Sequence, residues 1–141
     1  MATIQKETVI IGAGPGGYVA AIRATQLGQK VTIIEKESIG GVCLNVGCIP
    51  SKALITAGHH FHNAKHSETF GITTANVTLD ITKMQNWKDT KVVNRLTQGV
   101  EALLKKNKVE IIRGTAIFTD KNQLTVETKD GSQNIEFKNV V

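Results

Sequence analysis

The chain has 141 residues, 40% of them apolar, with 17 Lys and Arg against 12 Asp and Glu, a net charge of +5; this describes a globular domain with room for one core and excludes a disordered or collagen-like chain. No apolar run approaches the roughly 18 to 20 residues of a membrane-spanning helix, and the N-terminus shows no signal pattern. The basic excess, partly the run 105–108, lacks the interleaved aromatics of a nucleic-acid surface, so a cytoplasmic protein meeting neither membrane nor nucleic acid is expected.

Residues 7–11 are a short β-branched run, which predicts a strand. Gly12-Ala13-Gly14-Pro15-Gly16-Gly17 follows at once as a tight turn, and helix formers then continue to Gly28. Gly17, Ala20, Ala21 and Ala24 share one face of that helix and let it lie close on a sheet. Residues 30–35 predict a second strand, buried on both sides, which completes a βαβ unit. Residues 39–51 are a turn-rich entry to a helix ending near His66, and 67–79 are loop. Asp80 is placed to cap a long helix reaching about Asn107. A third parallel strand at 109–113 precedes three alternating stretches, 115–119, 123–128 and 134–138, with Asp130-Gly131 as a hairpin turn. A new apolar strand is expected to begin at 139–141. The expected fold class is α/β, a Rossmann-like parallel sheet with an antiparallel β-meander, in one domain spanning 1–141.

Gly12, Gly14 and Gly17 lie between a strand and a helix, and Glu35 ends the next strand 18 residues after Gly17. That is the context in which a GxGxxG turn binds a dinucleotide: a tight turn, backbone open to a pyrophosphate, close helix–strand contact and an acid for the ribose. A carboxylate at 35 repels a 2′-phosphate, so FAD or NAD is expected rather than NADP. Cys43 and Cys48 follow within a few residues, five apart. In a regular helix such residues have Cα atoms about 8.7 Å apart, beyond the reach of a disulfide, so a bridge requires a break, and Gly47 and Pro50 supply the means. A dithiol beside a dinucleotide favours FAD, since a flavin accepts electrons from sulfur and exchanges hydride with nicotinamide. Cys48 stands near a helix start and four residues before Lys52, both favouring a thiolate.

The segment 40–54, GGVCLNVGCIPSKAL, together with the glycine turn, closely resembles the flavoprotein disulfide oxidoreductases, and within them the dihydrolipoamide dehydrogenase family. The resemblance implies that Cys43 is the interchange thiol and Cys48 the thiol against the flavin. It places Lys52 near the flavin ring, Gly12, Gly14, Gly17, Gly40 and Gly41 along the pyrophosphate, Glu35 on the ribose and the Ala116 backbone at the adenine, with Lys36 and Val42 among the cofactor contacts. Many relatives have Thr at the position of Val42, so one hydroxyl contact is absent. Mercuric and glutathione reductases share the cysteine pair; Leu44 and the run 49–54 resemble the lipoamide enzymes more. A dinucleotide-binding module with no redox use of the cysteines is a further alternative, as is a small thiol or metal protein.

The resemblance further implies NAD as electron acceptor in the full-length enzyme, a homodimer, and docking on the acyltransferase core and lipoyl domains of 2-oxoacid dehydrogenase complexes. Relative to the family the chain is expected to be C-terminally truncated, without the NAD, central and dimer-interface domains and without the His–Glu pair that handles protons. Weak FAD binding and little turnover are therefore expected of these 141 residues alone. His59, His60, His62 and His66 fall on a helix without ligand-spaced Cys or carboxylates and are expected to be solvated or interface residues, not metal ligands.

Overall fold

The computed structural model describes residues 3–141. Strand β1 (Thr3–Ile11) leads through the glycine turn into helix α1 (Pro15–Gln26), and β2 (Val31–Glu35) returns parallel to β1, with Ile10 opposite Ile33. Two helices follow, α2 (Gly41–Asn45) and α3 (Cys48–Lys65). A single 3-10 turn, Ser67–Phe70, interrupts the loop after α3. Helix α4 (Ile81–Trp87) begins at Asp80, whose carboxylate accepts from the Lys83 N–H at 2.9 Å, the cap expected there. It continues through a π segment, Lys88–Val93, into α5 (Asn94–Lys106). The expected long helix is thus continuous to Lys106, with one wide turn that packs on α3 and buries Val93.

Strand β3 (Glu110–Arg113) adds parallel to β2, and β4 (Thr115–Asp120), β5 (Gln123–Thr128) and β6 (Gly131–Val140) form the antiparallel meander. All six strands join one sheet in the order β3-β2-β1-β6-β5-β4. The expectation of a new strand at 139–141 is corrected here. Residues 139 and 140 continue β6, which pairs antiparallel with β5 and also parallel with β1, from Thr3 opposite Asn134 to Val9 opposite Val140. The ladder runs on through Val141, whose N–H donates to Val9 O and whose carbonyl accepts from the Ile11 N–H.

Two cores flank the sheet because the parallel strands are covered on both faces. Ile10, Val31 and Ile33 face α1 and α5 and pack with Ala21, Leu104 and Val109. Val9 and Ile34 point the other way, where the meander folds back to pack Leu124, Val126, Ile135 and Phe137 on them. Gly17 permits the close seat of α1: a Cβ there would overlap the carbonyl oxygen of Gly12. One further correction concerns Gly41–Lys65, which is long and apolar enough by composition to cross a membrane, contrary to the reading of the apolar runs. In the fold this stretch is two helices broken at Val46 and Gly47, with the charged Lys52 and Lys65 on the second.

Candidate functional site

The carboxyl ends of β1, β2 and β3 converge on the glycine turn, where ligands of open α/β sheets bind. Gly14 caps α1 in an extended conformation and no side chain bonds to the first turn, so its N–H groups point free at the helix start. A Cβ at Gly12 or Gly16 would meet nothing within 4 Å, leaving that backbone open to an approaching group. The second glycine pair closes on the first. Gly40 N–H donates to Ala13 O at 2.8 Å, and a Cβ on Gly41 would stand 2.8 Å from Gly14 Cα. Gly41 is also at φ +57°, where a side chain is strained.

Glu35 is buried at the end of β2. One carboxylate oxygen accepts from the Ala13 N–H at 2.7 Å and the other from the Glu37 N–H at 2.8 Å, so the acid braces the glycine turn as well as facing the cleft beside it. That cleft, about 190 Å³, is lined by Gly12, Glu35, Lys36 and Ala116 together with Gly114 and Thr115. A larger cleft of about 460 Å³ opens at the amino ends of the strands, around Lys6, Lys30 and Glu110. It is the wrong end of the sheet for a dinucleotide, and its Lys6 is tied to Glu110 at 2.6 Å.

The cysteines stand beside the glycine frame. Cys43 lies in α2, two residues after Gly41, and Cys48 opens α3. The helix expected to break between them does so: Val46 and Gly47 leave helical geometry, and the Gly47 N–H turns back to Val42 O at 2.7 Å. Gly47 is needed there, since a Cβ would press on that same oxygen at 3.0 Å. Pro50 falls in the first turn of α3, where its missing N–H costs no helical bond. Both cysteines are free thiols, Cys43 half-buried and Cys48 exposed. The neighbouring Cys48 thiol is the main cause that raises the Cys43 thiol above its ordinary value, with desolvation adding to it, while the Lys52 cation pulls the other way.

A raised value leaves less thiolate at a given pH, so alkylation of reduced Cys43 is expected to be slower near neutrality than for a free cysteine, with its midpoint shifted upward. Cys48→Ala removes the largest cause and lowers the midpoint; Lys52→Met removes a cation that favours thiolate and raises it. Mass-resolved alkylation rates between pH 6 and about 10 check both signs, and a Cys48→Ala midpoint at or above the parent's contradicts Cys48 as the cause.

Of the residues singled out in the sequence, the fold brings together Gly12, Gly14, Gly17, Gly40 and Gly41 at the turn, Glu35, Lys36 and Ala116 at the cleft, and Cys43, Cys48 and Lys52 at the helix break. Val42 is exposed on the first turn of α2. Sequence reasoning missed Asn45, whose amide nitrogen bridges two backbone carbonyls of the cysteine loop. Its position inside the GGVCLN run was the available signal. The histidines lie along α3 and at its end, His62 and His66 stacked at 4.2 Å. His59 stands eleven residues from Cys48, about 16 Å along the helix axis.

A buried acid braces the glycine turn and a thiol pair adjoins it, and the chain belongs to the pyridine nucleotide-disulphide oxidoreductase family, whose profile matches residues 6–141. Its curated relatives are more particular. The chain is 61% identical over 138 residues to a dihydrolipoyl dehydrogenase of Bacillus subtilis and 62% identical to one of Geobacillus stearothermophilus, covering 98% of this chain and 29% of each relative. A mitochondrial dihydrolipoyl dehydrogenase of Pisum sativum is 50% identical over 93% of this chain and 26% of its own length. The chain therefore spans less than a third of the length of the curated relatives it matches. Among solved structures, a Cu(II) complex of the HOCl-induced flavoprotein disulfide reductase RclA from Escherichia coli matches 99% of this chain and 28% of its own, with a TM-score of 0.76 and 27% identity. The resemblance read from the glycine turn and the cysteine segment is borne out, and with it the α/β fold.

Proposed function

We propose that these residues are the FAD-binding, dithiol-bearing part of a dihydrolipoyl dehydrogenase. The single observation that carries this reading is the helix break at Val46 and Gly47, which sets Cys43 in α2 and Cys48 at the start of α3 beside the glycine turn. The frame fits the cofactor. The open backbone at Gly12 and Gly16, with Gly14, Gly17, Gly40 and Gly41 around it, would receive a pyrophosphate on the free N–H groups of α1. Glu35 would take the ribose with Lys36 beside it, the Ala116 backbone the adenine, Val42 and Cys43 would lie along the cofactor, and Cys48 and Lys52 would border the flavin ring. Bound FAD supplies the two-electron relay between sulfur and NAD.

The sulfur chemistry is this chain's own. A thiolate of dihydrolipoamide attacks the Cys43 sulfur of the oxidised pair, the Cys43–Cys48 bond breaks, and Cys48 keeps the bonding electrons as a thiolate. The second lipoyl thiol loses its proton and attacks the lipoyl sulfur of the mixed disulfide, releasing Cys43. Lipoamide leaves oxidised by two electrons and the pair is left reduced. Of the two protons the substrate brought, one returns to Cys43, whose raised affinity for it follows from the neighbouring Cys48, and the other leaves to a base. A base from a partner subunit, a homodimer, cytoplasmic location and contact with lipoyl domains and the acyltransferase core of 2-oxoacid dehydrogenase complexes all belong to this proposal.

The test supplies FAD, dihydrolipoamide and NAD to the 141-residue chain and, in parallel, to a chain of the relatives' full length. The short chain is expected to quench FAD fluorescence weakly and form almost no NADH, while the long chain turns over. Turnover of lipoamide by the short chain at an ordinary enzyme rate overturns the first expectation. Preference of the long chain for glutathione disulfide or mercuric ion with NADPH overturns the second.

A further inference from the structure

Helix α2 is only five residues long, far too short to hold itself together, yet it carries Cys43 and sets where that sulfur stands. Its first turn has no side-chain cap on Gly40. What closes it is Asn45, whose Nδ2 donates to Ile39 O at 3.0 Å and to Gly41 O at 2.9 Å. The carbonyl of Ile39 precedes the helix and that of Gly41 lies in its first turn, so one amide ties the residues on both sides of Cys43 into a ring. Both amide hydrogens are spent on these two acceptors, and Asn45 is partly buried where they meet. An aspartate could not do this, since a carboxylate would face two carbonyls with no proton to give.

We propose that Asn45 is a positioning residue for the cysteine pair: by clamping Ile39 O and Gly41 O it holds α2 in the pitch that brings the Cys43 sulfur onto Cys48. Its two bonds go to backbone carbonyls, so it acts through the backbone that bears Cys43. Two consequences follow together. The loop geometry sets the effective concentration of one thiol at the other, hence the disulfide equilibrium with an external couple. It also sets how close Cys48 stands to Cys43, hence the pH at which Cys43 ionises.

The inference rests on the cysteines being a redox couple, and the experiment separates the two claims. The purified protein is equilibrated with glutathione and glutathione disulfide, where two protein thiols and one glutathione disulfide exchange for one protein disulfide and two glutathione thiols. Quenched, mass-resolved samples give the equilibrium constant, and Cys43 alkylation gives the pH profile. Asn45→Ala, which loses both bonds, is expected to lower the equilibrium constant about tenfold, the scale of two ordinary hydrogen bonds, and to move the Cys43 midpoint down toward that of Cys48→Ala. Asn45→Ser is expected to fall between, because a serine hydroxyl reaches the carbonyl four residues back, as Ser51 reaches Gly47 O at 2.8 Å, but not Ile39. Should Asn45→Ala not fold, the Asn45→Ser values decide alone. Variants with the parent's constant and midpoint overturn the role of Asn45, whereas a parent that forms no intramolecular disulfide overturns the redox reading itself.

Discussion

Cys48→Ser, placed in a chain of the relatives' full length, is expected to lower dihydrolipoamide oxidation by at least about a thousandfold, the scale on which removal of a reacting nucleophile acts. Cys43→Ser should cost as much, because the exchange needs two sulfurs: one is attacked and the other must leave. The two variants nevertheless differ in a second property. Cys48 begins α3 and is exposed, while Cys43 is half-buried in α2. If Cys48 is the sulfur against the flavin, Cys43→Ser keeps a thiolate there and retains long-wavelength absorbance in the reduced protein, and Cys48→Ser loses it. A module that binds a dinucleotide without using its cysteines shows neither the activity loss nor the spectral asymmetry. Absorbance spectra of the two reduced variants, taken beside turnover assays, therefore decide between the readings.

What the sequence disclosed of this site follows from which constraints are local. The break between Cys43 and Cys48 was legible because Gly47 is local chemistry, and the structure puts Val42 O where a side chain would collide. Strand β2 was legible because its apolar residues serve two cores, Ile33 on one face and Ile34 on the other. Strand β6 was not. Its alternation buries Ile135 and Phe137, then Asn139 interrupts the apolar series, which invites a boundary. The strand continues because β1 pairs along its other edge as far as Val140, beyond its last pairing with β5 at Glu136, a choice made by distant residues, and Asn139 finds Thr8 Oγ1 across that pairing. Likewise Glu35 was legible as an acid at the right spacing, but not as the brace between Ala13 and Glu37, which depends on two backbone N–H groups that the turn alone orients. The π segment at Lys88–Val93 leaves no periodic mark, since one extra residue shifts a stripe that the packing on α3 then accommodates.

Gly17→Ala is expected to be the most destabilising single methyl that can be added to the frame. The new Cβ would overlap Gly12 O, stand 2.9 Å from the Gly12 carbonyl carbon and reach 3.5 Å from Ile10 Cγ2. None of these is the free end of a flexible side chain. The Gly12 peptide is itself held, since its N–H donates to Ile34 O at 2.8 Å, so relief must come from α1 lifting off the sheet. That motion opens the contact of fully buried Ala21 with the core around Ile10 and Ile33. Overpacking a tight site costs about 1 to 3 kcal/mol and more where backbone must move, so a loss of about 3 kcal/mol is expected by urea unfolding without added FAD. Against a total of about 5 to 15 kcal/mol for an ordinary domain, that leaves a folded protein with a loosened turn, and FAD affinity should fall with it. Gly16→Ala is the control: its Cβ meets nothing within 4 Å and its backbone lies in α1, so helix propensity makes it neutral or stabilising by up to about 1 kcal/mol. If the two alanines unfold at the same urea concentration, the close seat of α1 on the Gly12 carbonyl is not what holds the glycine turn in place.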